Sequence, residues 1–324
     1  MRQASAAGWR SAGLFCALLL ATCCTAIGQT FPVRPISIVC PYGAGSGNDM
    51  IARELAQKLT EIFKSTVIVE NKPGATGNIA TDYVAQSKPD GYTLFLNSTS
   101  GIIYQATNPG LKTDIARDLA VVGFAAVMPY VIAVPPSFEA HSVKELIGLA
   151  QANPGKINYN GPPGSMSDYL ANTLKTFASL DMVMIPYKST SDAQVDVLAN
   201  RIQVWITTAA SAVPFAKSGK VRALAVTGEN RLALIPDVPT IAEAGIPQMQ
   251  TEVTFYLMAP KGVSPEIVQK LNEAVNDALT DPALIDRLAL MTVQPKTGTS
   301  DEATKHVKQE ITKWTTELQG VVSK

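Results

Sequence analysis

The sequence predicts an α/β protein of two lobes on mostly parallel sheets, with a cleft between them. Three observations carry this. Short Val- and Ile-rich runs alternate with helical patterns along the chain, which implies βαβ units. About 296 of the 324 residues follow an apolar leader, too many for one ordinary core. Two places, Pro129 and the segment 254–260, read as crossings between domains, which would make a hinged pair with a ligand cleft.

The leader comes first. Residues 1–28 combine Arg2 and Arg10, an apolar stretch over 14–21 and small residues at Ala26-Ile27-Gly28, the three parts of a signal peptide, with cleavage expected near Gln29. An uncharged run over 11–33 raises a membrane anchor as a rival, but its second half is rich in Thr, Cys, Gly and Gln and would be costly in lipid. Leu20-Ala21-Thr22 before Cys23 leaves a lipid-anchored form as an alternative. Removing Arg2 and Arg10 with the leader leaves 25 basic residues against 27 acidic ones, a balance that gives nucleic acid no footing. Cys16, Cys23 and Cys24 go too, so Cys40 has no internal disulfide partner and reads as a buried small hydrophobe.

Strands are expected at 36–40, 67–69, 93–96, 121–127, 130–134, 183–185, 204–207 and 222–226. The first helix, after Asp49 and through Lys64, carries Ile51, Leu55, Leu59 and Ile62 on one face. Ser142 with Glu145 forms a capping box, and Ser264-Pro265 an N-cap followed by Pro at the first helical position. The uncharged run 119–138 has the length of a membrane span, but Pro129 splits it and Pro135-Pro136 close it, so two buried strands are expected. Residues 301–322 form a polar amphipathic helix carrying Trp314.

Between the first strand and helix lies Tyr42-Gly43-Ala44-Gly45-Ser46-Gly47-Asn48-Asp49. Glycines allow a tight turn, and the helix start presents unpaired N–H groups and the positive end of its dipole, a natural anion cradle. A dinucleotide reading fails at Asn48, which stands where the third glycine belongs, and Glu70 alone does not rescue it. A hydrolase reading lacks glycines two positions to either side of Ser46. The only histidines, His141 and His306, fall on solvated helical positions, so no catalytic residue, metal site or cofactor is expected. Further polar turns recur: 71–78, Asn97-Ser98-Thr99-Ser100-Gly101, Gly161-Pro162-Pro163-Gly164-Ser165-Met166-Ser167-Asp168, and Thr207-Thr208-Ala209-Ala210-Ser211. A cleft lined by such hydroxyls and amides suits a carboxylate.

The order of these segments resembles the Bug-type solute-binding proteins of tripartite tricarboxylate transporters, the TctC family, over nearly the whole mature chain. Val69-Glu70-Asn71-Lys72-Pro73-Gly74-Ala75-Thr76-Gly77-Asn78-Ile79 and Pro236-Asp237-Val238-Pro239-Thr240 are the most specific pieces, supported by Pro32-Val33-Arg34-Pro35 and Pro89-Asp90-Gly91-Tyr92. The resemblance implies a periplasmic, two-lobed, type II-like Venus flytrap that closes on a small organic anion and delivers it to a membrane permease. The lobes would be 29–128 with 255–324, and 129–254.

By matching segment, the resemblance puts the ligand on Tyr42 and the Gly43–Asn48 turn, on Ser98, Thr99 and Ser100, on Gly164, Ser165, Met166 and Ser167, and on Thr207, Thr208 and Ala209. Asp49 is expected to cap its helix. Relatives that take amino acids hold the ammonium with an aspartate where this chain has Thr207-Thr208-Ala209-Ala210, so a dicarboxylate or an aromatic carboxylate of the terephthalate kind is expected instead. Pro162, Pro163 and Met166 replace small polar residues and suit a flat ligand. A monomer is expected. The alternatives are a ligand-presenting sensor for a receptor kinase and, more distantly, a secreted hydrolase.

Overall fold

The computed structural model describes residues 31–188 and 192–322. The expected leader, with its three cysteines, lies outside them. Strand β1 (Ile36–Cys40) is buried along almost all its length and pairs in parallel with β2 (Val67–Asn71) and β3 (Thr93–Ser98). Helix α1 (Gly47–Phe63) covers this sheet with Ile51, Leu55 and Leu59, all fully buried, each contributing about 2 kcal/mol of apolar burial. It stops at Lys64, whose backbone is left-handed (φ 51°). Helix α2 (Asn78–Ala85) leads into β3, and α3 (Thr99–Thr107) follows β3 directly, before a single turn, α4 (Ile115–Asp118).

Strand β4 (Leu119–Val134) is one continuous strand of 16 residues, where the sequence predicts two. Pro129 does not break it, because it stands where pairing changes hands. Up to Pro129, β4 runs antiparallel to β9 (Glu252–Pro260); from Tyr130 it runs antiparallel to β7 (Trp205–Thr208), and from Val131 also to β8 (Arg222–Val226). A missing N–H is harmless at such a junction. The second half holds α5 (Val143–Ala152), β5 (Ile157–Gly161), α6 (Met166–Ala178), β6 (Met182–Pro186), α7 (Gln194–Leu198) and, after β7, α8 (Ala209–Lys217). There β5 pairs in parallel with β6 and meets β7 through Asn160, whose side-chain oxygen accepts from the Ile206 amide at 2.8 Å.

After β9 come α9 (Pro265–Thr280), α10 (Pro282–Leu290), the short edge strand β10 (Gln294–Pro295) and α11 (Ser300–Val322). The first sheet has the order β10-β4-β9-β3-β1-β2. The α/β, two-lobed class agrees with expectation. The sheets are mixed and not mostly parallel, because the two crossing strands β4 and β9 run against their neighbours.

The middle of β4 and the residue before β9 meet at Thr227, which is fully buried. Its amide donates to Tyr130 O at 2.9 Å, and the Thr251 amide donates to its carbonyl at 2.8 Å. Val253 and Thr254, opposite Met128 and Val127, pair within the first sheet. Helix α11 is less exposed than its polar sequence suggests: Trp314 is buried, its indole N–H donating to Glu310 at 3.0 Å. His306 is half-buried against the Phe124 ring, and its Nδ1 is hydrogen-bonded to the Tyr256 hydroxyl at 2.8 Å, so it is not the solvated residue expected. Burial, with Lys296 nearby, lowers its pKa. His141 is exposed, and Cys40 is buried and free as expected. Among the described residues no helix is long and apolar enough to cross a membrane.

Candidate functional site

Four helices begin at one small cavity, each at the carboxyl end of a strand: α1 after β1, α3 after β3, α6 after β5 and α8 after β7. This is the usual ligand position in α/β proteins. The cavity is about 20 Å³ and is lined by Tyr42, Ser46, Gly47, Asn48, Ser98 and Ser100 from the first half. Ser165, Thr208, Pro162 and Tyr130 line it from the second half, with Val253 and Phe255 of β9. None of these is a lysine or arginine, so a negative group there would be met by hydroxyls, amides and helix dipoles alone.

The four helix starts differ in how their amides are used. Ser46 caps α1 by accepting from the Asp49 amide at 3.3 Å, and Ser165 caps α6 by accepting from the Asp168 amide at 3.4 Å. At α3 and α8 the N-cap residues Ser98 and Thr208 make no such bond. An α-helix leaves its first N–H groups unpaired, so donor capacity for a ligand is greatest at α3, and at α8 it is reduced only by the Ala210 amide, which donates to Met128 Sδ at 3.5 Å.

The glycine turn is more occupied than its sequence implies. The Gly45 amide donates to Asp49 Oδ2 at 2.9 Å, and the Ser46 amide to Gly43 O at 3.2 Å. Asp49 also accepts from Arg53 and from Asn71 Nδ2. Burial pushes its carboxyl up, but Arg53, the Gly45 amide and Asn71 outweigh burial and hold it below the ordinary value. Asp49 therefore fixes the turn, as expected. Gly43, Ala44 and Gly45 do not line the cavity, and the amides of Gly45 and Ser46 are already engaged, so within the turn it is Tyr42, Ser46, Gly47 and Asn48 that the structure brings to the cavity. Gly47 makes the close approach: a Cβ there would lie 3.1 Å from Thr208 Oγ1 and 3.3 Å from Met128 Cε.

Other expected residues also sit outside the cavity. The Thr99 hydroxyl accepts from the Thr254 amide at 3.1 Å, which joins α3 to β9. Met166 is fully buried, so it is not the adaptable wall expected of it, and the Ser167 hydroxyl shares a 2.8 Å hydrogen bond with Ser165. Thr207 and Ala209 are fully buried beside Thr208, with Ala209 opening α8.

The sequence reading missed three lining residues, Tyr130, Val253 and Phe255, while Pro162, read as a proline wall, does line the cavity. Tyr130 shares a 3.3 Å hydrogen bond with Ser100, and burial pushes its pKa up to about 12. Tyr42 is pushed up as well, by burial and then by Tyr130. Both therefore stay neutral; the Tyr42 hydroxyl donates to Thr76 O at 3.4 Å, whereas Tyr130 can accept from Ser100 and turn its own proton to an anion.

The halves touch around this cavity. The Thr76 hydroxyl donates to Pro163 O at 3.0 Å, and the Ser211 hydroxyl to Gly45 O at 3.3 Å. Further out, Tyr169 of α6 meets Trp314 of α11 edge-on at 4.7 Å. Between α3, α6 and α11 runs a larger groove of about 860 Å³, which includes Gly164 and Ser165 in its lining. The helix starts converge on the small cavity and not on the groove, which makes the cavity the polar centre.

A family model described as the tripartite tricarboxylate transporter family receptor, TctC, matches residues 51–321. The chain belongs to the TctC family. It is 33% identical over 289 residues to BugT of Bordetella pertussis, covering 88% of this chain and 89% of BugT. Among solved structures, the periplasmic binding protein BugD superposes with a TM-score of 0.85 at 29% identity, covering 90% of this chain and 98% of BugD. Rpa4515 of R. palustris, solved with adipate, gives a TM-score of 0.85 at 31% identity, covering 89% and 97%. As a TctC protein, the chain is a solute-binding protein of a periplasmic family.

Proposed function

We propose that this TctC protein captures a small organic carboxylate in the periplasm by closure of its two lobes, and presents it to the membrane permease of a tripartite transporter. The observation that carries this is the convergence of four helix starts on a cavity without a basic side chain. Dipoles and amides suffice for an acid group, and the neutral Tyr130 hydroxyl adds a donor. Adipate in Rpa4515 supports the carboxylate class.

The lobes are 29–128 with 255–324, and 129–254, hinged where β4 and β9 cross. Closure holds the ligand between Ser98 and Ser100 on one side and Ser165 and Thr208 on the other. Contacts from both lobes then favour the closed population. A dicarboxylate or an aromatic carboxylate such as terephthalate is preferred to an amino acid, because no acidic side chain lines the cavity to meet an ammonium. No bond is made or broken.

A melting screen of the mature protein against citrate, dicarboxylates, aromatic acids and amino acids tests this. At least one carboxylate should raise the melting temperature, with amino acids silent. A blank across all acids would end the proposal.

A further inference from the structure

We propose that the groove between α3 and α6 is a second compartment of the ligand site, and that it takes an uncharged aromatic or amide-bearing tail of the bound acid. This rests on the carboxylate reading above and narrows it.

Continuity is the first argument. Ser100 of α3 lines the cavity, and Tyr104 and Thr107, one and two turns further along the same face, line the groove. At α6, Ser165 lines both spaces, and the groove then follows the helix from Asp168 through Asn172 to Thr176. At 1.5 Å per residue, Ser165 to Thr176 spans roughly 16 Å. A ligand held at the helix starts and too long for the cavity would therefore have its far end guided between these two helices.

Size is the second argument. The cavity, at about 20 Å³, has room for little more than a water molecule, whereas the groove, at about 860 Å³, lies in the range of small-molecule sites. Gly164 keeps its floor low. At φ 70° it suits glycine, and a Cβ there would lie 2.9 Å from Thr107 Oγ1 and 3.3 Å from the Tyr104 ring.

Charge sets the chemistry of the tail. The groove lining has two carboxylates, Asp168 and Glu317, and no lysine or arginine. Asp168 accepts from the Gly164 amide at 2.8 Å and from Asn172 at 2.9 Å, and Glu317 is hydrogen-bonded by the Tyr169 hydroxyl at 3.3 Å. A second carboxylate at the far end would meet two like charges without a counter-ion. A ring or primary amide would meet the faces of Tyr104 and Tyr169 and the polar ends of Asn172 and Thr107.

Calorimetry on the whole mature protein tests this with acids that share one carboxylate and differ at the far end: succinate, terephthalate and 4-carbamoylbenzoate. The carbamoyl acid should bind about tenfold or more tighter than terephthalate. Thr173→Trp and Thr176→Trp, which fill the far part of the groove, should erase that advantage while leaving succinate, which ends short of them, within about twofold, and Glu317→Gln should improve terephthalate severalfold. Melting curves would confirm that the variants fold. If terephthalate binds as well as the carbamoyl acid, or if the advantage survives both tryptophans, the groove proposal is overturned while succinate binding keeps the carboxylate reading intact. If no acid binds at all, both fall.

Discussion

The Thr227 hydroxyl accepts a hydrogen bond from the Tyr130 amide at 2.8 Å and donates one to the Thr251 carbonyl at 2.7 Å. One buried side chain thus ties the middle of β4 to the residue just before β9. Thr227→Val keeps the shape but leaves a buried amide and carbonyl unpaired. At about 1–3 kcal/mol for each such group, urea denaturation should show a loss of roughly 2 kcal/mol or more. A loss below about 0.5 kcal/mol would mean that the crossing is held by other contacts.

Gly47 lies at the closest approach between α1 and Thr208. Gly47→Ala puts a Cβ 3.1 Å from Thr208 Oγ1 and resists closure. Within the isolated helix the change is favourable by about 0.5–1 kcal/mol. The unliganded melting temperature should hold or rise, while affinity for a carboxylate falls about tenfold. Unchanged affinity in calorimetry would argue against tight closure at this point.

Asp49 gives the chain an acid-side dependence. Its folded pKa lies below the ordinary 3.8, so the native state binds fewer protons than the unfolded one. Its contribution is complete above about pH 4 and disappears as pH falls through the folded value. Asp49→Asn should cost about 2 kcal/mol at pH 7, from lost charged hydrogen bonds, with a smaller difference at an acid pH well below the ordinary 3.8. Urea titrations at both pH values measure it.

Ala209 opens α8, where the N-cap Thr208 leaves the first amides uncapped. Ala209→Asp brings a carboxylate to that helix start, where it competes for the donors and repels an anion. Carboxylate affinity should drop at least about tenfold, and an amino acid could gain binding. Retained carboxylate binding would place the acid group elsewhere.

Local chemistry made much of this molecule legible. The strands at 36–40 and 222–226 and the caps at Ser142 and Ser264 match the structure because each depends on neighbouring residues only. Pro129 misleads because proline reads as a breaker, and only the change of partner from Glu252 to Thr208 shows why it is tolerated inside β4. His306 looks solvated on its own helix, and its burial depends on Tyr256, 50 residues away. Tyr130, Val253 and Phe255 sit in largely apolar strands, where nothing marks the side chains that tertiary pairing turns to the cavity. The serine- and threonine-rich turns were visible. Which of their amides are already engaged, as Gly45 is by Asp49, was not.

The central claim is that a carboxylate is held by helix-start amides and neutral hydroxyls with no cation. A crystal structure of the mature protein with a bound carboxylate tests it most directly. The account predicts an acid oxygen within about 3 Å of the first-turn amides of α3 or α8, with the Ser98, Ser100 or Thr208 hydroxyl beside it. An acid group seated on a lysine or arginine, or lying outside this cavity, would contradict it.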